Sequence, residues 1–160
     1  MGRSFGSILI MDNKIFKKIF SMIAKKNGFE SAFGGWFKES EACIFTIQLI
    51  RSNFGNYYMV EFKTYIQGAF ESRYVKNKSL LRDIGHIFRG EPKEFETALN
   101  LEQKMGDEER TQKLESLFQE FIIPFSEKAL TMHGINELAE KGEIYLLPAV
   151  KRELEKLKTV

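Results

Sequence analysis

The chain has one cysteine, three prolines, one tryptophan and two histidines in 160 residues. A single cysteine, Cys43, excludes an internal disulfide framework and fits a reducing cytoplasm. It reads as a small buried hydrophobe in a strand. His86 and His133 lie far apart, and with one cysteine they leave no zinc-type ligand spacing, so neither metal nor cofactor is expected. No apolar run approaches the roughly 18 residues of a membrane span. Ile8-Leu9-Ile10-Met11 is too short for a signal-peptide core of about 7–15 apolar residues. A cytoplasmic protein with no membrane attachment is therefore expected. Phosphate-binding glycine loops of the GxxxxGK[ST] and GxGxxG kinds, HExxH, CxxC and GxSxG are all missing. The common nucleotide, zinc-protease, thiol-redox and serine-hydrolase chemistries thus have no sequence support, and no catalytic residue can be named.

What is present is a phenylalanine-rich apolar fraction: 43% of residues, with fifteen Phe. A chain of this length buries about 70% of its unfolded surface and folds as one domain without a staple. The net charge of +2 does not by itself imply nucleic acid. The halves differ, with +6 over residues 1–80 and −4 over residues 81–160, which makes a dipolar protein able to steer a charged partner.

The centre of the chain is Ala42 to Gln67. Tyr58, Val60, Phe62 and Ile66 recur on one phase with Thr64, while Met59, Glu61, Lys63 and Tyr65 take the other. Period two makes this a strand with one core face and one wet or shared face. The preceding stretch, Ala42 to Arg51, is apolar on both phases, the mark of a central strand. Ser52-Asn53-Phe54-Gly55-Asn56 joins the two, and Gly55 and Asn56 tolerate positive φ in a short hairpin loop.

Residues 1–11 read as a tail or appended extension, with Ile8-Leu9-Ile10 as a possible added edge strand. Residues 12–160 form the domain. Ile15, Phe16, Ile19, Phe20 and Ile23 define a helix over Asp12 to Asn27, capped by Asp12 or Asn13 and closed by Gly28 with Phe29. Its five lysines read as a solvated face. Phe29 to Glu39 is a strand pair or one bulged strand interrupted at Gly34-Gly35. Trp36 belongs to the core or an edge. Gly68 to Arg82 is an irregular loop, and Asp83 to Gly90 a fourth strand with Ile84, His86 and Phe88 in phase. Phe95 to Leu101 is a short edge strand or a helix. Asp107 to Ala129 is the main C-terminal helix, kinked or broken near Pro124. Thr131 caps a short helix through Glu140, and Pro148 opens a last one. Helix, antiparallel strands, then helices make an α+β fold with four to five strands and the C-terminal helices packed on the sheet.

The order Phe16-Lys17-Lys18, Asn27-Gly28-Phe29, Trp36-Phe37, Ile47-Gln48, Gly55-Asn56-Tyr57-Tyr58, His86, Arg89 and Leu99-Asn100-Leu101-Glu102 resembles the bacterial "domain of unknown function 4304" family. The likeness covers residues 12–125. It implies a small soluble bacterial protein and supplies no active site.

Two groups of residues are candidates for binding. His86 with Arg89 and Arg51 could surround an anionic ligand, with a neighbouring carboxylate tuning the imidazole; the plainer reading is a histidine packed in the sheet. Arg73, Tyr74, Lys76, Lys78 and Arg82 in the Gly68–Arg82 loop mix basic and aromatic side chains, as nucleic-acid surfaces do, without a recognisable nucleic-acid motif around them. The leading expectation is a non-catalytic protein-binding module that presents a sheet face or this loop to another protein, with homodimerisation through an edge strand as a further possibility. The alternatives are an enzyme or sensor of a small anion, and a weak nucleic-acid binder.

Overall fold

The computed structural model describes residues 11–158. The reading of Met1 to Ile10 as a tail or added strand lies outside those residues, but Met11 is only 2% exposed and belongs to the core. Helix α1 (Asn13–Lys26) begins at Asp12, whose Oδ1 accepts from the Lys14 and Ile15 amides. It ends in a left-handed cap. Gly28 has φ 91°, its N–H donates to the Lys25 carbonyl, and the Phe29 N–H donates back to Ala24.

Five strands follow: β1 (Glu30–Ala32), β2 (Gly35–Glu39), β3 (Cys43–Arg51), β4 (Tyr58–Ile66) and β5 (Ile87–Gly90). Their spatial order is their chain order, and every pair is antiparallel. The strand pair expected over Phe29 to Glu39 is β1–β2, joined by Phe33 (φ 55°) and Gly34 (φ 87°), a two-residue turn with both φ positive. The β3–β4 loop, by contrast, has no positive φ at Gly55 or Asn56. Gly55 is needed for a different reason: a Cβ there would stand 2.8 Å from the Glu102 carboxylate and 3.0 Å from the Tyr57 ring.

Helix α1 and the C-terminal helices cover one face of the sheet. Phe16 and Phe20 of α1 meet Phe118, Phe125 and the sheet residues Phe45, Ile47, Val60, Phe62 and Ile66 in one cluster. The Phe20–Phe118, Phe45–Phe125 and Phe62–Phe121 ring centroids lie 5.1, 6.1 and 5.5 Å apart. Each fully buried ring contributes about 1.5–3 kcal/mol. The stripe on Asp107 to Ala129 forms α4 (Asp107–Leu117), a π-helical turn (Phe118–Ile122) and α5 (Ile123–Ala129). Pro124 has no N–H for the Glu120 carbonyl, and the widened turn just before it absorbs the misfit. Residues 96–99 are helical, so the helical alternative holds there; only Asn100 bridges to Tyr57 in strand fashion. The chain closes with two helices at the expected caps, Met132–Glu140 and Pro148–Lys158.

The second face is where sequence periodicity misleads. Residues 83–86 are not strand: Gly85 takes φ 78°, and Ile84 is 75% exposed. Part of the expected loop is instead helix α2 (Lys78–Arg82), seated on the sheet through Leu80 and Leu81 against Phe37, Ile44 and Tyr65. Numbering in chain order, residues 96–99 are α3 (Glu96–Leu99), and the last two helices are α6 (Met132–Glu140) and α7 (Pro148–Lys158). The α2 carbonyls of Leu80 and Leu81 accept from Tyr65 Oη and Lys63 Nζ, both at 2.7 Å. Lys63, expected on the wet side, is therefore 4% exposed. Gly35 makes room for this lid: a Cβ there would lie 2.8 Å from a Leu81 methyl.

Candidate functional site

His86 sits where β4, the turn after it and α7 meet. Its Nδ1 accepts the Ile66 amide at 2.9 Å, which places the ring proton on Nε2, facing Tyr74 Oη at 3.1 Å. Tyr65, Phe70 and Tyr74 surround it with ring centroids 5.7, 5.3 and 5.2 Å away. Burial holds the imidazole below its ordinary pKa, with Glu153 acting weakly the other way. A protonated ring could no longer accept from Ile66, so the neutral form is built into the fold. Both nitrogens are engaged internally, and acid–base work would first have to break one of those bonds.

The turn beside it is strained. Phe70 and Glu71 have φ 56° and 57°, unfavourable for residues with side chains, and Gly68 has φ 86°. Glu153 of α7 secures the turn by accepting the Phe70 amide at 2.7 Å. That bond and the one from Lys156 hold the Glu153 carboxyl below the usual range.

Arg89 and Arg51 do not join His86. Arg89 stacks over the Phe121 ring at 4.8 Å and donates to the Glu143 carbonyl at 3.0 Å, on the helix-covered face. Arg51 pairs with Tyr58 at the far end of β4, while His86 bonds to Ile66 at the near end. Eight residues of strand separate those positions, roughly 26 Å at about 3.3 Å per residue. The structure thus scatters the three residues proposed to share an anion.

The loop candidates divide similarly. Lys76 is tied to Glu30 and Glu39, across the mouths of β1 and β2. Tyr74 is half-buried, donating its amide to Gln67 and contacting His86. Arg73, Lys78 and Arg82 are exposed. Two of the five residues are therefore parts of the scaffold.

Sequence reasoning passed over a different arrangement, the β3–β4 hairpin tip. Phe54 is 93% exposed, the most exposed of the large hydrophobic side chains among the described residues. Its loop is nevertheless tightly held. Ser52 Oγ accepts the Phe54 amide at 3.0 Å, and the Ser52 amide donates to Tyr57. Glu102 Oε2 accepts the Asn56 amide at 2.6 Å, the Leu101 amide donates to the Asn56 carbonyl at 2.9 Å, and Asn100 bridges Tyr57. The segment doing the holding is itself clamped by Arg110, which is fully buried. Its guanidinium donates to the carbonyls of Ala98, Asn100 and Gln103 at 2.9, 3.0 and 2.8 Å, and to Thr97 at 3.3 Å. Burial lowers the Arg110 pKa, and Asp107 and Glu109 oppose that shift. Beside the tip lies an open depression of about 620 Å³, lined by residues 51–56. The signal available in the sequence was an aromatic residue inside the polar turn Ser-Asn-Phe-Gly-Asn, where no strand face can bury it.

Among the described residues no group of three or more His, Cys, Asp or Glu side chains could hold a metal ion, and no helix is long and apolar enough to cross a membrane. Fold and site together define an α+β domain: an N-terminal helix, a five-stranded antiparallel sheet and C-terminal helices, with a hydrogen-bonded hairpin tip at one end. Comparison with protein-family models, with curated proteins and with solved structures finds no match to this chain. The likeness to the domain of unknown function 4304 family accordingly rests on the residues quoted for it alone.

Proposed function

We propose that the protein is a non-catalytic protein-binding module whose contact surface is the β3–β4 hairpin tip, with Phe54 as the anchor and Arg51 beside it. One observation carries this reading: a bare aromatic side chain stands on a loop fixed by Glu102 and, through residues 97–103, by a buried arginine. Such a ring contributes nothing to the fold. Buried in a partner's pocket it would contribute about 1.5–3 kcal/mol. Aromatic and arginine side chains dominate the energetics of interfaces, and a loop already held in place loses little entropy on binding. The partner this tip fits has an apolar pocket with an acidic rim facing Arg51. Kinship with the domain of unknown function 4304 family and a cytoplasmic location belong to the same proposal and bring no reaction with them.

The test is capture of partners from lysate of the source organism by the wild-type chain and by Phe54→Ser, with native mass measurement of what is retained. A protein held stoichiometrically by the wild type and lost by Phe54→Ser is the expected result. An empty capture, a second copy of the chain alone, or retention by both forms would reject the hairpin tip as the contact surface.

A further inference from the structure

A second surface stands apart from the hairpin tip. The outward side of α1 carries two strips about a quarter turn apart. Lys14, Lys18 and Lys25 form one and are exposed. Ile15, Ile19 and Met22 form the other, with Ile15 47% and Met22 61% exposed. The apolar strip opens into a cleft of about 210 Å³ between α1 and α4, floored by Ile19, Met22 and Ile23 and walled by Thr111 and Glu115. Lys26 is occupied by Glu115 at 2.9 Å. Lys14, Lys18 and Lys25 take part in none of the ion pairs among the described residues. On the facing wall Thr111 lies one turn before Glu115, whose charge Lys26 already meets, so the three free lysines are the uncompensated charge beside the cleft.

We propose that this cleft receives an amphipathic helix of a partner protein that carries carboxylates along one flank of its apolar stripe. A row of solvated lysines needs no partner, but it leaves the adjoining Ile15 and Met22 unexplained. Helix-in-groove recognition uses both strips at once. Apolar anchors at i, i+3 or i+4, and i+7 fill the cleft, and the acidic flank meets the lysines. Lys14 to Lys25 span roughly 17 Å along α1, about three turns of a docked helix. The unpaired lysines stand on one side of the cleft only, and Glu115 on the other side is already paired with Lys26, so charge fixes the partner's orientation as well as its sign. A phosphate backbone would meet the lysines but leave the apolar strip of Ile15, Ile19 and Met22 unused. A concave cleft also suits inserted side chains better than a flat membrane.

The experiment pans a phage-displayed library of helical peptides against the full chain. The library has apolar residues fixed at i, i+3, i+4 and i+7 and both flanks randomised; winners are then measured by fluorescence anisotropy. The expected consensus places Asp or Glu on one flank only. Affinity should fall at least tenfold in Lys18→Glu/Lys25→Glu and in Met22→Asp, survive Lys18→Arg/Lys25→Arg, and be unchanged by Phe54→Ser, which separates this surface from the hairpin tip. All these positions are exposed, and circular dichroism checks that the variants are folded. Absence of enrichment, a consensus without an acidic flank, or winners indifferent to the α1 substitutions would overturn the proposal. So would α1-dependent binding to phosphatidylserine vesicles or a single-stranded oligonucleotide that the peptides do not displace.

Discussion

Replacing Arg110 with methionine removes the clamp behind the hairpin tip while keeping most of the side-chain volume. The guanidinium reaches four carbonyls. Those of Thr97 and Asn100 keep backbone donors from Asn100 and Gln103, whereas those of Ala98 and Gln103 have no other donor among the described hydrogen bonds. Two orphaned buried carbonyls at about 1–3 kcal/mol each give about 2–6 kcal/mol. Relief of the buried charge's desolvation offsets part of this, leaving a loss of about 3 kcal/mol from a domain whose total stability is of order 5–15 kcal/mol. Urea unfolding reports it directly through Trp36, the single tryptophan, which is 6% exposed and bonded to Ser21. The midpoint for Arg110→Met should fall by roughly 1–2 M at a typical urea slope. Arg110→Lys, with one charged donor group in place of a fork, should recover part of the loss. Amide exchange at Asn56 and Leu101 should quicken in step, because the clamped segment holds the tip. An Arg110→Met protein as stable as wild type would refute the reasoning, showing that the buried charge costs as much as its bonds return.

Three further outcomes follow from the same geometry. Because the folded pKa of His86 lies below 6.5, the folded chain binds fewer protons than the unfolded one in acid, so stability is whole above about pH 6.5 and declines as pH falls further; in His86→Gln, whose amide oxygen can still accept from Ile66, urea midpoints should lose that component of the slope, and an NMR titration midpoint for His86 above 6.5 would contradict the argument. Gly35→Ala should destabilise by about 1–3 kcal/mol through clashes with the Ile47 carbonyl and the Leu81 methyls; adding Leu81→Val should relieve only the Leu81 part in thermal melts, and a Gly35→Ala chain that melts at the wild-type temperature would disprove the close packing at Gly35. Burial pushes the Cys43 thiol to about 12, so an aromatic disulfide reagent at pH 8 should react about a hundredfold more slowly with the native chain than in urea; equal rates would place Cys43 at the surface.

Local chemistry was legible in the sequence and tertiary reach was not. The Asp12 cap, the Gly28 closure, the Thr131 cap and the alternation on β4 each depend on residues within a turn or two of one another, and each appears as read. The disturbance near Pro124 was also predictable, because a proline's effect reaches only four residues back. Helix α2 escaped because Leu80 and Leu81 look like loop residues until Gly35, forty-odd positions earlier, is seen to leave space for them. Lys63 escaped because alternation alone cannot say that a helix end will cover its Nζ. The candidate site fared less well. Nearness in sequence suggested His86 with Arg89, but strand alternation and the turn at Gly85 direct one into an aromatic enclosure and the other onto the helix-covered face. The hairpin tip depends on Arg110, whose partners are all backbone carbonyls and therefore invisible to any reading of side-chain types.

The chain-order sheet has a consequence for synthesis. From β2 onward each strand pairs with one already made, so β1 to β4 can close as successive hairpins, each in about 1–10 μs, and β5 adds once the α2 connection is out. Helix α1 precedes them and can shelter part of the growing surface, but Phe118 and Phe125, which pack on α1 and on Phe45 and Phe62, come later. Some 39 residues separate Gly90 from Ala129, the last residue of α5. At about 5–20 residues per second the finished sheet waits roughly 2–8 s for its cover. During that interval the nascent chain displays an aromatic sheet face that only a holding chaperone, or another unfinished copy on the same message, is in a position to occupy.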